Sequence, residues 1–159
     1  MDINFALENF SRAIAQKRAE AEIERLAFYD PLTNLPNRRL LYDRLQQSIA
    51  SNSRHANHSA ALFIDLDNFK TLNDTKGHNV GDLLLVEVAQ RLQACVREGD
   101  TVARLSGDEF VVILNGLSED ASQASNQAKM VGNKRLAALS QPDVVITGIR
   151  TSLLRQHGD

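Results

Sequence analysis

The apolar residues in the middle of the chain fall into short runs with the composition of β-strands. Residues 60–66 read AALFIDL, residues 101–105 read TVARL and residues 109–115 read EFVVILN. Since only the short segment SGD separates the last two runs, they predict a hairpin. Residues 143–154, DVVITGIRTSLL, predict a fourth strand.

The first 28 residues have the spacing of a helix. They contain no Gly or Pro, and Ile3, Leu7, Phe10 and Ile14 recur at intervals of three and four residues. This partial heptad seam favours a linker or dimerising helix over residues 1–28. The alternative is an amphipathic helix that packs on its own domain.

Helical spacing recurs between the predicted strands. It predicts helices over residues 37–50, 68–74, 80–97 and 118–139, with a loop, TKGHNVGD, between the second and third. The order helix, strand, helix, strand, strand, helix, strand indicates an α+β fold. We expect a mostly antiparallel central sheet with helices packed on one side, the palm-like relative of the ferredoxin arrangement.

Composition narrows the class of protein. The 159 residues are 43% hydrophobic and 24% charged, as in ordinary globular proteins, and their net charge of −2 gives no general attraction to nucleic acid or to an anionic membrane. The single Cys95 has no partner for an internal disulfide, which suits a reducing cytoplasm. Neither a long apolar span nor a signal-peptide pattern is present, so we expect a cytoplasmic protein without direct membrane contact.

Two groups of acids stand beside apolar strands. Asp65 and Asp67 come at the end of the 60–66 run, and Asp108 and Glu109 lie in the turn before FVVIL. If the two strands are neighbours, up to four carboxylates converge, and they repel one another unless a divalent cation or protons neutralise them. Oxygen ligands favour Mg²⁺ over zinc, so the sequence predicts a magnesium site.

Three motifs together resemble a known family. They are DPLTNLPNRR from Asp30, FIDLDNFKTLNDTKGHNVGD from Phe63 and RLSGDEF from Arg104. In order and spacing they are similar to the GGDEF family, the diguanylate cyclases of bacterial signalling, over residues 30–117. The resemblance implies a nucleotidyl cyclase fold at residues 29–159 and a reaction in which two GTP molecules become cyclic di-GMP and pyrophosphate across a homodimer.

The resemblance also implies a ligand set for Mg²⁺, with Mn²⁺ as an alternative ion. Asp65, the backbone carbonyl of Leu66 and Asp108 match the metal ligands. Glu109 matches a second acid that helps to bind metal or accepts a proton, and Asp67 supports the cluster.

Substrate contacts follow from the second motif. Lys70 and the amide at Phe69 match positions that hold phosphate. The alternative for Lys70 is an exposed lysine in solvent, but its position beside the acids favours the phosphate role. Asn73 and Asp82 resemble the pair that recognises guanine, with the amide donating to O6 and the carboxylate accepting from N1 and N2. Taken alone, Asp82 reads as an acid at a helix N-terminus.

Two further pairs have an expected role. Arg97 and Asp100 form the RxxD of a product-inhibitory site for cyclic di-GMP, or else an ordinary surface ion pair. Asp30 and Arg38 are expected to clamp the N-terminal helix onto the domain.

Two features depart from the family pattern. Ser106 stands where the signature has its first Gly, and at a position that required a positive φ a serine would cost about 1 kcal/mol. Family members also continue with a helix that carries Lys and Arg for the triphosphate and with a closing strand, and we expect the domain at 29–159 to lack both.

Three functions therefore compete. The first is an active diguanylate cyclase. The second is a catalytically impaired GGDEF module that binds GTP or cyclic di-GMP as a regulatory domain, and the third is a structural module dimerised by residues 1–28.

Overall fold

The computed structural model describes residues 2–136 and 146–154, and gives the backbone alone for residues 134–136 and 146–149. None of the described helices is long and apolar enough to cross a membrane. The helices are α1 (Ile3–Phe28), α2 (Arg38–His55), α3 (Phe69–Lys76), α4 (His78–Cys95) and α5 (Ala121–Met130), which a π-helical turn, Val131–Leu136, continues. The strands are β1 (His58–Leu66), β2 (Thr101–Ser106), β3 (Glu109–Leu117) and β4 (Ile146–Leu154).

The four strands form one sheet in the order β2-β3-β1-β4, and every neighbouring pair is antiparallel. The predicted α+β class, the hairpin and the fourth strand over residues 146–154 are confirmed. Residues 143–145 of the predicted strand and residues 137–139 of the predicted last helix lie outside the described part of the chain.

Helices cover both faces of the sheet, so the prediction of helices on one side is wrong. Alternate residues of β1 face opposite ways: Leu62 and Ile64 belong to one apolar cluster and Ala61 to another. The larger cluster packs under α4 and α5, whose buried members are Leu85, Val88, Ala89, Leu92, Ala124 and Ala128. The smaller cluster packs under Leu41 of α2. Periodicity alone did not reveal the second layer, because α2 buries few of its residues.

The predicted loop between α3 and α4 is almost absent. Helix α3 runs to Lys76 and α4 begins at His78, so only Gly77 separates them. Gly77 has a φ of +89°, which glycine adopts without the strain that a side chain brings. Gly81, expected in the loop, lies in the helix instead. This tight junction fixes the relative placement of α3, which carries Phe69, Lys70 and Asn73, and α4, which carries Asp82.

Helix α1 extends away from the sheet. Asp2 caps it by accepting from the Asn4 amide, and none of its residues is buried. Its apolar side chains are exposed: Ile3, Phe5, Leu7, Phe10, Ile14, Ile23 and Leu26. An amphipathic helix packed along its own domain is therefore not what forms, and a dimerising role stays a prediction.

Candidate functional site

The acids of the first and third motifs lie on neighbouring strands. Asp65 of β1 is paired with Glu109 of β3 in the antiparallel register. Residues directly opposite in such a pair point to the same face, with Cβ atoms about 4.5–5.5 Å apart. Both side chains are exposed. Two acidic residues from distant parts of the sequence thus occupy opposed positions at one end of the sheet.

Asp108 lies in the turn that joins β2 to β3, next to Glu109, and is half-buried. Asp67 does not continue the strand, because β1 ends at Leu66 and Asp67 is in the following turn. The strand argument that placed Asp65 and Asp67 on one side is therefore wrong for Asp67.

A dense acidic cluster does not form on its own. Across residues 2–136 and 146–154, no three or more His, Cys, Asp or Glu side chains come close enough to hold a metal ion. The expected convergence of up to four carboxylates is therefore wrong for the protein without ligands. The ligand set implied by the resemblance is smaller, since two carboxylates and one backbone carbonyl leave the remaining positions to substrate phosphate and water.

Ser106 fits the signature turn without strain. Gly107 carries the positive φ of this turn, +44°, whereas Ser106 is the last residue of β2 and is not among the residues with positive φ. The expected cost of about 1 kcal/mol for a serine with positive φ therefore does not apply to Ser106. The Ser106 hydroxyl instead donates a hydrogen bond of 3.1 Å to Oε2 of Glu109.

The phosphate-side residues lie where β1 turns into α3. Asn68 adopts a left-handed conformation, with a φ of +56°, and so starts α3 directly after the strand. Phe69 and Lys70 are the first two residues of the helix, and Lys70 is exposed. The Lys70 side chain therefore starts within one helical turn of the end of β1, as the sequence predicted.

Asn73 and Asp82 lie on the two helices that meet at Gly77. The Asn73 side chain packs against Gly81, where an added methyl group would overlap with Asn73 Oδ1. That oxygen is buried and has no hydrogen-bond partner among the described residues. Asp82 is exposed and lies beyond the first turn of α4, so the interpretation as a helix N-terminal acid is wrong.

Comparison with known proteins decides the family. Residues 27–147 match the family model described as diguanylate cyclase, GGDEF domain. The chain belongs to the GGDEF family.

Two curated relatives come from Pseudomonas aeruginosa. The bifunctional diguanylate cyclase/cyclic di-GMP phosphodiesterase MucR is 50% identical over 130 residues, which are 82% of this chain and 18% of MucR. The diguanylate cyclase TpbB of strain UCBPP-PA14 is 38% identical over 142 residues, 89% of this chain and 32% of TpbB. The chain therefore spans between about a fifth and a third of these proteins.

A solved structure supports the fold. It is a microbial GGDEF domain described in a novel interaction mode with cyclic di-GMP, and it superposes with a TM-score of 0.72 at 26% identity. The match covers 86% of this chain and 83% of that one. Together with the antiparallel sheet, this likeness confirms the predicted cyclase fold.

The RxxD turn of this GGDEF domain is built around a buried carboxylate. Asp100 has a side-chain exposure of 4%, and its two oxygens accept from the backbone amides of Arg97 and Asn115, each at 3.0 Å. Arg97 Nη2 donates to the Asn115 carbonyl at 2.9 Å. Arg97 Nε also lies 3.7 Å from Asp100 Oδ2, so the two residues form an ion pair whose acid is buried and whose guanidinium is exposed. Arg97 and Asp100 also line a cavity of about 410 Å³ that α5 closes on one side.

Arg104 makes a contact that the sequence did not reveal. Its guanidinium Nη1 donates to both carboxylate oxygens of Asp30, at 3.1 and 3.2 Å, and its Nε donates to the Gly107 carbonyl at 2.9 Å. The expected clamp between Asp30 and Arg38 is wrong, because Arg38 is exposed and Asp30 pairs with Arg104. No local signal identified the partner, since Arg104 follows Asp30 by 74 residues. Arg104 thus joins the end of α1 to the signature turn.

The ionisation of Asp30 depends on these contacts. Its partial burial acts to raise the carboxyl pKa, but hydrogen bonds from Thr33 and the Arg104 guanidinium outweigh burial and hold the pKa of Asp30 below its usual value. The side chains of Asp30 and Arg104 are only 17% and 15% exposed. The charged form of Asp30 therefore stabilises the folded state.

We predict that Asp30→Asn lowers the free energy of unfolding at pH 7 by about 1–3 kcal/mol, because charge-assisted hydrogen bonds are lost. Because the pKa of Asp30 is lower in the folded state, its carboxylate stabilises the folded state at pH values above its unfolded pKa of about 3.9. This stabilisation is lost as the pH falls through the folded-state pKa. The difference between the two proteins should therefore shrink between pH 5 and pH 2 in urea titrations.

Asp74→Asn is the matched control, because Asp74 is exposed, and it should change the free energy of unfolding by less than about 0.5 kcal/mol. A difference between Asp30→Asn and the parent protein that stays constant down to pH 2 would contradict the role given to the charged Asp30.

Proposed function

We propose that this GGDEF domain is a diguanylate cyclase, which condenses two GTP molecules, one on each of two copies of the chain, into cyclic di-GMP and pyrophosphate with Mg²⁺. The observation that supports the proposal is the register of β1 and β3, which sets Asp65 opposite Glu109 beside the half-buried Asp108. The identity to MucR and TpbB, both named for diguanylate cyclase activity, supports it independently.

The donor set of this end of the sheet fits Mg²⁺. It consists of carboxylates and the backbone carbonyl at the end of β1, which are the hard oxygen ligands that magnesium prefers. Asp65, Leu66 and Asp108 would hold the ion. Bound there, it would neutralise phosphate charge and polarise the α-phosphate under attack.

The remaining residues bind and orient GTP. Lys70 is exposed at the start of α3, and its ammonium would balance phosphate charge beside the end of β1. Asn73 packs its Oδ1 against Gly81, which fixes the orientation of the side chain. Its Nδ2 would donate to guanine O6, and the exposed Asp82 would accept from N1 and N2.

Two copies are needed because one domain carries one GTP. In each of the two condensations the 3′-oxygen of one nucleotide bonds to the α-phosphorus of the other, the bond to the β-phosphate oxygen breaks, and pyrophosphate leaves. The row of exposed apolar side chains on α1 is a surface on which two copies can associate. Glu109 is the residue beside the metal ligands that can accept the 3′-hydroxyl proton.

We predict that the purified chain converts GTP with Mg²⁺ into cyclic di-GMP and pyrophosphate, measured by chromatography. Asp108→Asn should reduce the rate by at least about a hundredfold, because it removes a charge at the reacting phosphate. Glu119→Gln is the matched control: this exposed acid follows the far end of β3 and its loss should leave the rate within a factor of two.

Absence of product from the folded parent chain would contradict the cyclase. The second candidate, a module that binds cyclic di-GMP without turnover, is favoured by one observation: the RxxD turn is preformed around the buried Asp100 and lines a cavity. In that case calorimetric titration with cyclic di-GMP would still show binding.

We further predict that Gly81→Ala weakens GTP binding at least fivefold without unfolding the domain. The added methyl group displaces the Asn73 amide, while alanine favours the helix and leaves the free energy of unfolding equal or raised by up to about 1 kcal/mol. Calorimetry with a GTP analogue and urea titration measure the two effects.

Gly99→Ala is the matched control, because a methyl group at Gly99 meets no atom within 4 Å, and it should leave GTP affinity unchanged. Equal affinity in Gly81→Ala and the parent protein would contradict the role of Asn73.

A further inference from the structure

Ser106 is the one residue of the SGDEF signature whose side chain the family pattern does not require. The backbone does not explain a serine there, since Gly107 provides the positive φ of the turn. Ser106 is exposed, so burial does not explain it either. Its hydroxyl does have a specific partner, Oε2 of Glu109, at 3.1 Å.

Glu109 stands between two neighbours in the sheet. On one side β1 places Asp65 opposite it, and on the other side β2 places Ser106 opposite it. Asp65 and Glu109 form a regular antiparallel pair, so their side chains lie on the same face within reach of one another. Ser106 pairs with Glu109 after a register shift in β2, and the hydrogen bond of 3.1 Å shows that these two side chains meet. The Glu109 carboxylate therefore lies toward Asp65 or toward Ser106, and the two arrangements compete.

Electrostatics favours the Ser106 side in the absence of a cation. Two carboxylates directly opposite each other repel, whereas a hydroxyl donates to a carboxylate oxygen. Both effects move Glu109 toward β2 and away from Asp65. This agrees with the finding that no three acids among the described residues gather into a metal-binding group.

We propose that Ser106 is a positioning residue that holds the Glu109 carboxylate away from Asp65, and so sets the affinity of the site for divalent cations. The inference rests on the proposed function, because it concerns the same acids. In the resting domain Asp65 and Asp108 are available to a cation, and Glu109 reaches it only after the Ser106 hydrogen bond breaks. A glycine at position 106 has no hydroxyl and imposes no such restraint.

The test measures binding of Mn²⁺ alone, so it does not depend on turnover. Paramagnetic broadening of the amide resonances around Asp65 is followed in NMR titrations of the full chain, and yields the half-saturating Mn²⁺ concentration. Ser106→Ala should bind Mn²⁺ about threefold to tenfold more tightly than the parent chain, the range that the net contribution of one hydrogen bond between exposed side chains allows. Ser106→Thr keeps the hydroxyl and should bind as the parent chain does.

A second pair of variants separates positioning from a general effect on the turn. In a Glu109→Gln background, Ser106→Ala should leave the Mn²⁺ affinity unchanged, because the carboxylate that Ser106 restrains is gone. Unchanged affinity in Ser106→Ala alone would overturn the proposal, as would an equal gain in both backgrounds or a gain in Ser106→Thr.

The outcomes also separate this inference from the proposed cyclase. If the parent chain binds Mn²⁺ at Asp65 and Ser106→Ala binds no more tightly, the role of Ser106 is wrong while the metal site stands. If no variant shows broadening around Asp65, the metal site is wrong and the role of Ser106 falls with it.

Discussion

The antiparallel register of β1 and β3 is the constraint on which the site depends. It pairs Asp65 with Glu109, although 44 positions separate them in the sequence. The same strands supply the centre of the core, because alternate side chains are buried under α4 and α5 on one face and under α2 on the other. A slip of one residue would turn the acids to the opposite face and expose the apolar residues. Burial of the core residues therefore fixes the strand register, and with it the positions of Asp65 and Glu109.

The signature turn is connected to the rest of the chain through Arg104. One guanidinium bonds both to Asp30, just after α1, and to the carbonyl of Gly107 inside the turn. Since no residue of α1 is buried, the orientation of α1 relative to the domain depends on contacts at its last turn and at Asp30. There the Arg39 guanidinium stacks over the Phe28 ring, and Asn37 donates to the Ala27 carbonyl.

Sequence patterns predicted the features that depend on residues close together in the chain. The apolar run before Asp65 and the SGD turn predicted the central strand and the hairpin, both of which form. The layer formed by α2 was missed, because alternation along a strand does not reveal which faces are covered. Arg104 and the bond from Ser106 to Glu109 were missed too, since a sequence does not state which side chain a charged group meets.

The opposition of Asp65 and Glu109 across β1 and β3 is tested most directly by cross-linking. With Cys95→Ser, the pair Asp65→Cys and Glu109→Cys should form a disulfide on mild oxidation, seen as loss of two hydrogen masses, because facing strand positions have suitable Cα separations. The diagonal pair Phe63→Cys and Glu109→Cys should stay reduced, because Phe63 lies opposite Val111. A reduced opposed pair in the folded protein, or faster oxidation of the diagonal pair, would contradict the register and the site built on it.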